Sequence, residues 1–537
     1  MKSVKKALVK KWLVLTAAAA MAIGGISGCG KSAENDSAET KGDSEKTTFT
    51  YWAPLNPSLA QVANSYDDTL YYQELEKRLD IDIEFLHPPV AQETEQFQLL
   101  LASGDLPDIM DYSWLTNYPG GPEKAIEDEI IIPLNDYMDQ VPHYKEAFES
   151  NEMNVKEGTT DKGNIFGFHI LRTEGADLKV MQAMMLRKDW LDELGLDFPE
   201  TIEDWENVFT AFQESKGVEF PLAMKFVDMK EGENFNTAYR VGNSFYIDDN
   251  GCVQYGPIQP AYKEYLTTLN RWFNKGFLNP DFASIDSAYI DSQVLNGKAG
   301  VAYAWIGGGL GSWLNAGGEN FSMEGTVNPV GEKGEDVFLA ASLNTNIGAT
   351  TACVTTAAAK DEKKMEAIMK FFDYIYSEEG LILKTYGVEG TTFEMVDGEE
   401  IYTELITDNP DGLSIAQALS KYTQASIGGP GYGVVPGYVK QYYQYDEQKA
   451  TMDRVNAVVD SVEKHTYPGA TATSEESDEL ATIMAEVNTV RDEEMIAFIT
   501  GVRPLDEYDA FIAELKKLGI DRAVEIKQAA LDRFNSR

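Results

Sequence analysis

The chain has 537 residues, 43% of them hydrophobic, enough to bury a large core across roughly two or more domains. Its formal net charge of −43 makes a surface that repels nucleic acid and anionic lipid headgroups and disfavours a bulk polyanionic ligand. The four His (His87, His143, His169, His465) lack metal-ligand spacing, so neither a zinc site nor any other cofactor is expected.

The chain opens with Lys2, Lys5, Lys6, Lys10 and Lys11, then runs apolar from Trp12 to Ile26. That run is shorter than the span of about 20 residues a membrane helix needs, so it reads as a secretory signal. Its ending, Ile26 to Cys29 (ISGC), resembles a bacterial lipobox. Cleavage before Cys29 and diacylation of its sulfur are expected. Each buried acyl CH₂ contributes about 0.8 kcal/mol, so two chains hold where one does not. The protein is therefore placed on the extracellular face of the cell membrane, touching it only through lipid. Gly30 to Thr47 has many charges and no large apolar residue, as expected of a flexible tether. Cys252 and Cys353 form no disulfide framework and are expected as two separate buried thiols.

Thr48 to Trp52 is β-rich and ends at Pro54 and Pro57, predicting a first strand. Thr69 to Leu79 has helical periodicity, Ile81 to Leu86 reads as a strand, and Thr94 to Ala102 as a helix capped by Gly104. Asp108 to Tyr112 is a third strand, followed by a loop through Trp114 to Pro122. Strand, helix, strand, helix, strand implies a parallel α/β sheet. Asn164 to Leu171 and Val180 to Leu186 are further apolar runs, with a helix from Lys188. Thr201 and Asp204 form a capping box ahead of a helix to Phe212. Helices are expected over Tyr262 to Phe273, Glu362 to Tyr376, Leu480 to Phe498 and Asp506 to Phe534. Gly300 to Trp305 is a strand running into Gly307, Gly308 and Gly309, and Gly428 to Gly437 is a loop.

An open α/β sheet binds ligands beyond the carboxyl ends of its strands. Three expected strands end at or just before a Trp: Trp52, Trp114 and Trp305. An indole there can wall a crevice, its flat face matching the C–H face of a sugar ring; packing over the end of its own sheet is the other reading. Asp111, Trp313 and Tyr432 complete the candidate ligand-binding set. Trp190, Trp205 and Trp272 lie on apolar helix faces and are expected in the core. Arg172 and Arg187 could each hold a carboxylate or sugar hydroxyl, although Arg187 has acids beside it to pair with. The triple glycine has no Gly-Lys-Ser/Thr after it and is no phosphate cradle. Asp248 to Gly251 lacks the spacing of a calcium loop and reads as a β-turn. No motif of nucleophilic or metal catalysis occurs, so no catalytic residue is assigned.

Ser103 to Met110 (SGDLPDIM), Gly163 to Leu171 (GNIFGFHIL), Leu186 to Trp205, Tyr386 to Phe393 (YGVEGTTF) and Phe498 to Phe534 occur in an order that resembles family-1 extracellular solute-binding proteins. The resemblance is to the large lipoprotein subgroup that serves Gram-positive carbohydrate ABC transporters. It implies an α/β, two-lobed periplasmic-binding-protein-like fold of type II, with a ligand cleft between hinged lobes. It places the signal peptide at 1–28, the lipidated Cys and tether at 29–47, lobe one at 48–171 plus 343–388, and lobe two at 172–342 plus 389–537. It implies a monomer that captures an oligosaccharide or sugar and delivers it to ABC permease subunits, with Gly297 to Trp305 facing ligand. Alginate-type members carry a calcium loop that the turn at Asp248 does not reproduce. A tethered glycan-degrading enzyme, or a binding protein for a peptide or signalling receptor, are the alternatives.

Overall fold

The computed structural model describes residues 46–89, 92–171, 179–340, 347–425, 428–433 and 435–537. The signal segment, Cys29, the tether as far as Glu45, and Arg172 lie outside the described residues, while Thr47, read as the tether's last residue, opens the first strand. Among the described residues fourteen strands occur in chain order: β1 (Thr47–Trp52), β2 (Ile81–Leu86), β3 (Ile109–Tyr112), β4 (Phe168–Leu171), β5 (Gln182–Arg187), β6 (Leu222–Ala223), β7 (Phe245–Ile247), β8 (Val253–Tyr255), β9 (Val301–Trp305), β10 (Met323–Thr326), β11 (Ile347–Val354), β12 (Phe393–Val396), β13 (Glu399–Tyr402) and β14 (Gly431–Tyr432).

A six-stranded sheet has the order β14-β4-β11-β3-β1-β2, and a four-stranded sheet the order β10-β5-β9-β6. In the first, β2, β1 and β3 are parallel, as the alternation of strands and helices predicts, while β11 runs antiparallel between β3 and β4. Edge strand β2 buries Ile81, Ile83 and Phe85 and exposes Asp82 and Glu84, the period of two expected of a half-covered sheet. The chain passes from the first sheet to the second between β4 and β5 and returns between β10 and β11. It comes back once more at β14, which pairs with β4. Gly431–Tyr432 belongs to the 389–537 span expected in lobe two, yet it forms an edge of the first sheet.

Around the first sheet, Phe49, Trp52, Phe97, Phe168 and Phe372 share one core, with Phe168 and Phe372 stacked at 3.9 Å. Trp190, Trp205 and Trp272 lie in the core beside the second sheet, as their helix faces predict. The helix Ile202–Lys216 has the expected capping box: the Thr201 side chain accepts from the Asp204 N–H, and the Asp204 carboxylate accepts from the Thr201 N–H. Asp248 to Gly251 makes the predicted turn, joining β7 to β8.

Several local expectations differ. The stretch read as a loop after Tyr112 holds two short helices, Trp114–Asn117 and Gly121–Glu127. The helix expected over 506–534 divides into Tyr508–Lys517 and Ile520–Ser536, because Gly519 turns the backbone at φ 98°. Cys252 and Cys353 are unpaired, but only Cys353 is buried; Cys252 comes after the exposed turn at Gly251. Among the described residues no helix is long and apolar enough to cross a membrane.

Candidate functional site

A cavity of about 1190 Å³ lies between the two sheets. One wall comes from the first sheet: Asn56 and Ser58 just past β1, and Ile170 on β4. The facing wall comes from the second sheet: Gln182 on β5, then Tyr303 and Trp305 on β9. The segments 407–417 and 438–448 supply further lining residues. The cavity thus meets the carboxyl ends of β1 and β9, the place an open sheet offers to ligands.

Trp305 is 49% exposed although its strand neighbours Val301 to Ala304 are buried. Among the described residues it is left half open because the chain beyond turns away in one π-helical turn, Ile306–Leu310, whose three glycines carry no side chain. Two of those glycines are required by close approach. A Cβ on Gly307 would lie 2.5 Å from the Tyr442 ring, and one on Gly309 would lie 2.8 Å from the Ala304 Cβ. Trp313 also lines the cavity, but with its indole buried and Nε1 donating to Asp291 Oδ1 at 2.8 Å. Tyr303 donates its hydroxyl to Gln182 Oε1 at 3.0 Å, making a polar floor.

Trp52 and Trp114, expected as crevice walls, do not line the cavity. Trp52 is 4% exposed and packs against Phe97 and Tyr112; Trp114 is 1% exposed, packs edge-on to Phe97 and donates Nε1 to Met110 O. The helix Glu93–Ser103 lays Phe97 across both. Asp111 also sits behind the wall. Its Oδ2 accepts from the Tyr51 hydroxyl at 3.2 Å, and burial pushes its carboxyl up to about 6 despite that bond. Above it runs Gly429, whose carbonyl, with that of Pro430, accepts from the buried Lys384 Nζ at 3.1 and 3.0 Å. Burial brings Lys384 down to about 7, with Asp111 pulling the other way. Tyr432 is half-buried against Tyr376 and does not reach the cavity. Arg187 is taken up by Asp189 and by the Trp190 and Phe321 rings, as its acidic neighbour predicts.

Residues 57–382 match the family described as bacterial extracellular solute-binding protein. The chain belongs to that family. It is 25% identical to Lipoprotein LipO of Bacillus subtilis (strain 168) over 436 residues, covering 78% of this chain and 79% of LipO. The substrate-binding protein FusA of S. pneumoniae, solved in complex with kestose, superposes with a TM-score of 0.73 at 21% identity, covering 91% of this chain and all of that one. Alginate-binding protein AlgQ2, solved without calcium ion, gives a TM-score of 0.72 at 20% identity over 91% of this chain and 98% of its own. These neighbours share the two-lobed α/β fold.

For this solute-binding protein the candidate set missed the charged part of the cleft. Asp228, Asp291 and Asp408 line it together with Lys225. Lys225 Nζ lies 3.6 Å from Asp228 and donates to Ser287 Oγ at 3.2 Å. Burial raises the Asp228 carboxyl above its usual range, with Lys225 opposing. Lys225 and Asp228 come just after the carboxyl end of β6, so the rule applied to the indoles could have found them. Asp291 and Asp408 carry no such local signal.

Proposed function

We propose that the protein captures an oligosaccharide outside the cell and delivers it to the permease of an ABC importer. The carrying observation is one half-exposed indole, Trp305, projecting at a strand end into a cavity that both sheets line. Its flat apolar face suits a sugar ring, while Gln182, Asn56 and nearby carboxylates suit hydroxyls. Membership of a solute-binding family, with a fold neighbour solved in complex with kestose, supports the reading. Closure of the two lobes, at 48–171 plus 343–388 and 172–342 plus 389–537 with β14 reassigned to the first, occurs if ligand contacts differ between open and closed forms. The monomer is held to the outer membrane face by lipid on Cys29.

Calorimetry and thermal shift against a panel of oligosaccharides test this. A true ligand at 100 times its dissociation constant adds about 2.7 kcal/mol to the folded state. The bound glycan is expected back intact after long incubation; shortened product would favour the tethered-enzyme alternative. Cys29→Ala is expected to release the protein into the medium, and retention at the membrane would reject the anchor.

A further inference from the structure

We infer that the ligand is an uncharged, hydroxyl-rich oligosaccharide and that the cleft rejects uronate-bearing chains; this rests on the oligosaccharide reading above. Among the described residues lining the cavity, Lys225 is the one cation, against the carboxylates of Asp228, Asp291 and Asp408. Lys225 is already engaged by Asp228 and Ser287, so it has little charge to offer a ligand. Neither Arg nor His is present among those described lining residues, so the bidentate fork that recognises carboxylates is missing there. The undescribed stretch 172–178 has a composition that does not reverse the balance, since Arg172 is matched by Glu174 and Asp177.

The carboxylates suit hydroxyls. An ionised carboxylate has two oxygens and accepts only, whereas each sugar hydroxyl brings a donor. Asp291 uses one oxygen on the Trp313 indole, which holds the side chain in place. Asp408 is exposed and has no side-chain hydrogen bond or ion pair among the described residues. A uronate brings a negative charge at every acidic sugar into this acid-lined space, and like charges brought together across an interface discriminate strongly against the wrong partner. The field of a chain with net charge −43 acts in the same direction.

The test uses the full folded protein and length-matched probes of three to five sugars: fructo-, malto-, galacto- and xylo-oligosaccharides against oligogalacturonates and alginate oligomers. At least one neutral series is expected to bind, with uronates at least tenfold weaker. The neutral dissociation constant should change less than twofold between 20 and 500 mM NaCl. Uronates binding as tightly as neutral chains would overturn the inference and leave the oligosaccharide reading standing. If neither class binds, the oligosaccharide reading falls and this inference with it. Asp408→Lys is the second variant: oligogalacturonate affinity relative to the best neutral probe should rise at least fivefold, and an unchanged ratio in a folded variant would overturn the charge argument.

Discussion

The ends of β3 and β9 present the same sequence feature and opposite outcomes. Trp114 lies just past β3 and is buried; Trp305 ends β9 and is half exposed. The indoles are chemically identical, so the difference lies in what packs over each one. After β3 the chain winds directly into Trp114–Asn117, and the helix Glu93–Ser103 lays Phe97 over both Trp52 and Trp114. After β9 three glycines make a turn with no side chain to fold back. An indole at a strand end is left facing the cavity when its cover is withheld.

Trp114→Ala should break the molecule on the first side of this comparison. Truncating a fully buried indole removes its packing and the hydrogen bond it donates to Met110 O, costing about 3–5 kcal/mol. Denaturant unfolding should register that loss, while ligand affinity per folded molecule stays unchanged. A loss of affinity larger than threefold would return Trp114 to the cleft.

The first-sheet core also carries a pH response of its own. His169 is fully buried; its Nε2 donates to Gly158 O at 3.2 Å and its Nδ1 accepts from the Thr351 hydroxyl at 3.1 Å. Burial drives its pKa down to about 3, whereas the unfolded chain titrates at about 6.5. The unfolded state therefore takes the proton first, and stability falls as pH drops from 6.5 toward 3. At pH 4.5 the cost is on the order of 3 kcal/mol, since each pH unit between the two values contributes about 1.36 kcal/mol. His169→Gln should flatten the melting profile between pH 7 and 4.5; an unchanged slope would mean that other groups dominate acid lability.

Trp305→Ala probes the second side. Stability should stay within about 0.5 kcal/mol, because an exposed side chain is lost. Ligand affinity should fall by about 2 kcal/mol, roughly thirtyfold, as for an aromatic hot spot. Calorimetry on the best neutral oligosaccharide reads this directly, and a change below threefold would remove Trp305 from the site.

How much of the fold and the site is legible in the sequence depends on whether the signal is local. β2 forms at Ile81–Leu86 as predicted because its alternation and its breakers lie within the segment. The capping box at Thr201 and Asp204 is likewise complete in four residues. The fate of Trp52 and Trp114 is not local, since their cover comes from Phe97, on a helix elsewhere in the chain. The loop expected from Trp114 to Pro122 hides two helices, because Gly120, Gly121 and Pro122 read as breakers but begin a helix here, with Pro in its first turn. Asp408 reaches the cleft by long-range packing, which no window of sequence records.

The smallest expected effect tests the glycine turn itself. Gly307 and Gly308 are adjacent, identical in type, and differ in what a methyl group would meet. On Gly308 an added Cβ has nothing within 4 Å; on Gly307 it lies 2.5 Å from Cε1 of Tyr442. Tyr442 is stacked on Tyr438 at 5.0 Å, so it cannot retreat freely. It lines the cavity, so its displacement reshapes the wall beside Trp305. Overpacking of this kind costs about 1 kcal/mol where the neighbour is a half-buried ring. Gly307→Ala should therefore weaken ligand binding about fivefold to tenfold, and Gly308→Ala should leave it within twofold. Equal effects from both would mean that the turn needs glycine for its backbone alone, and that the close approach of Tyr442 has no part in keeping Trp305 bare.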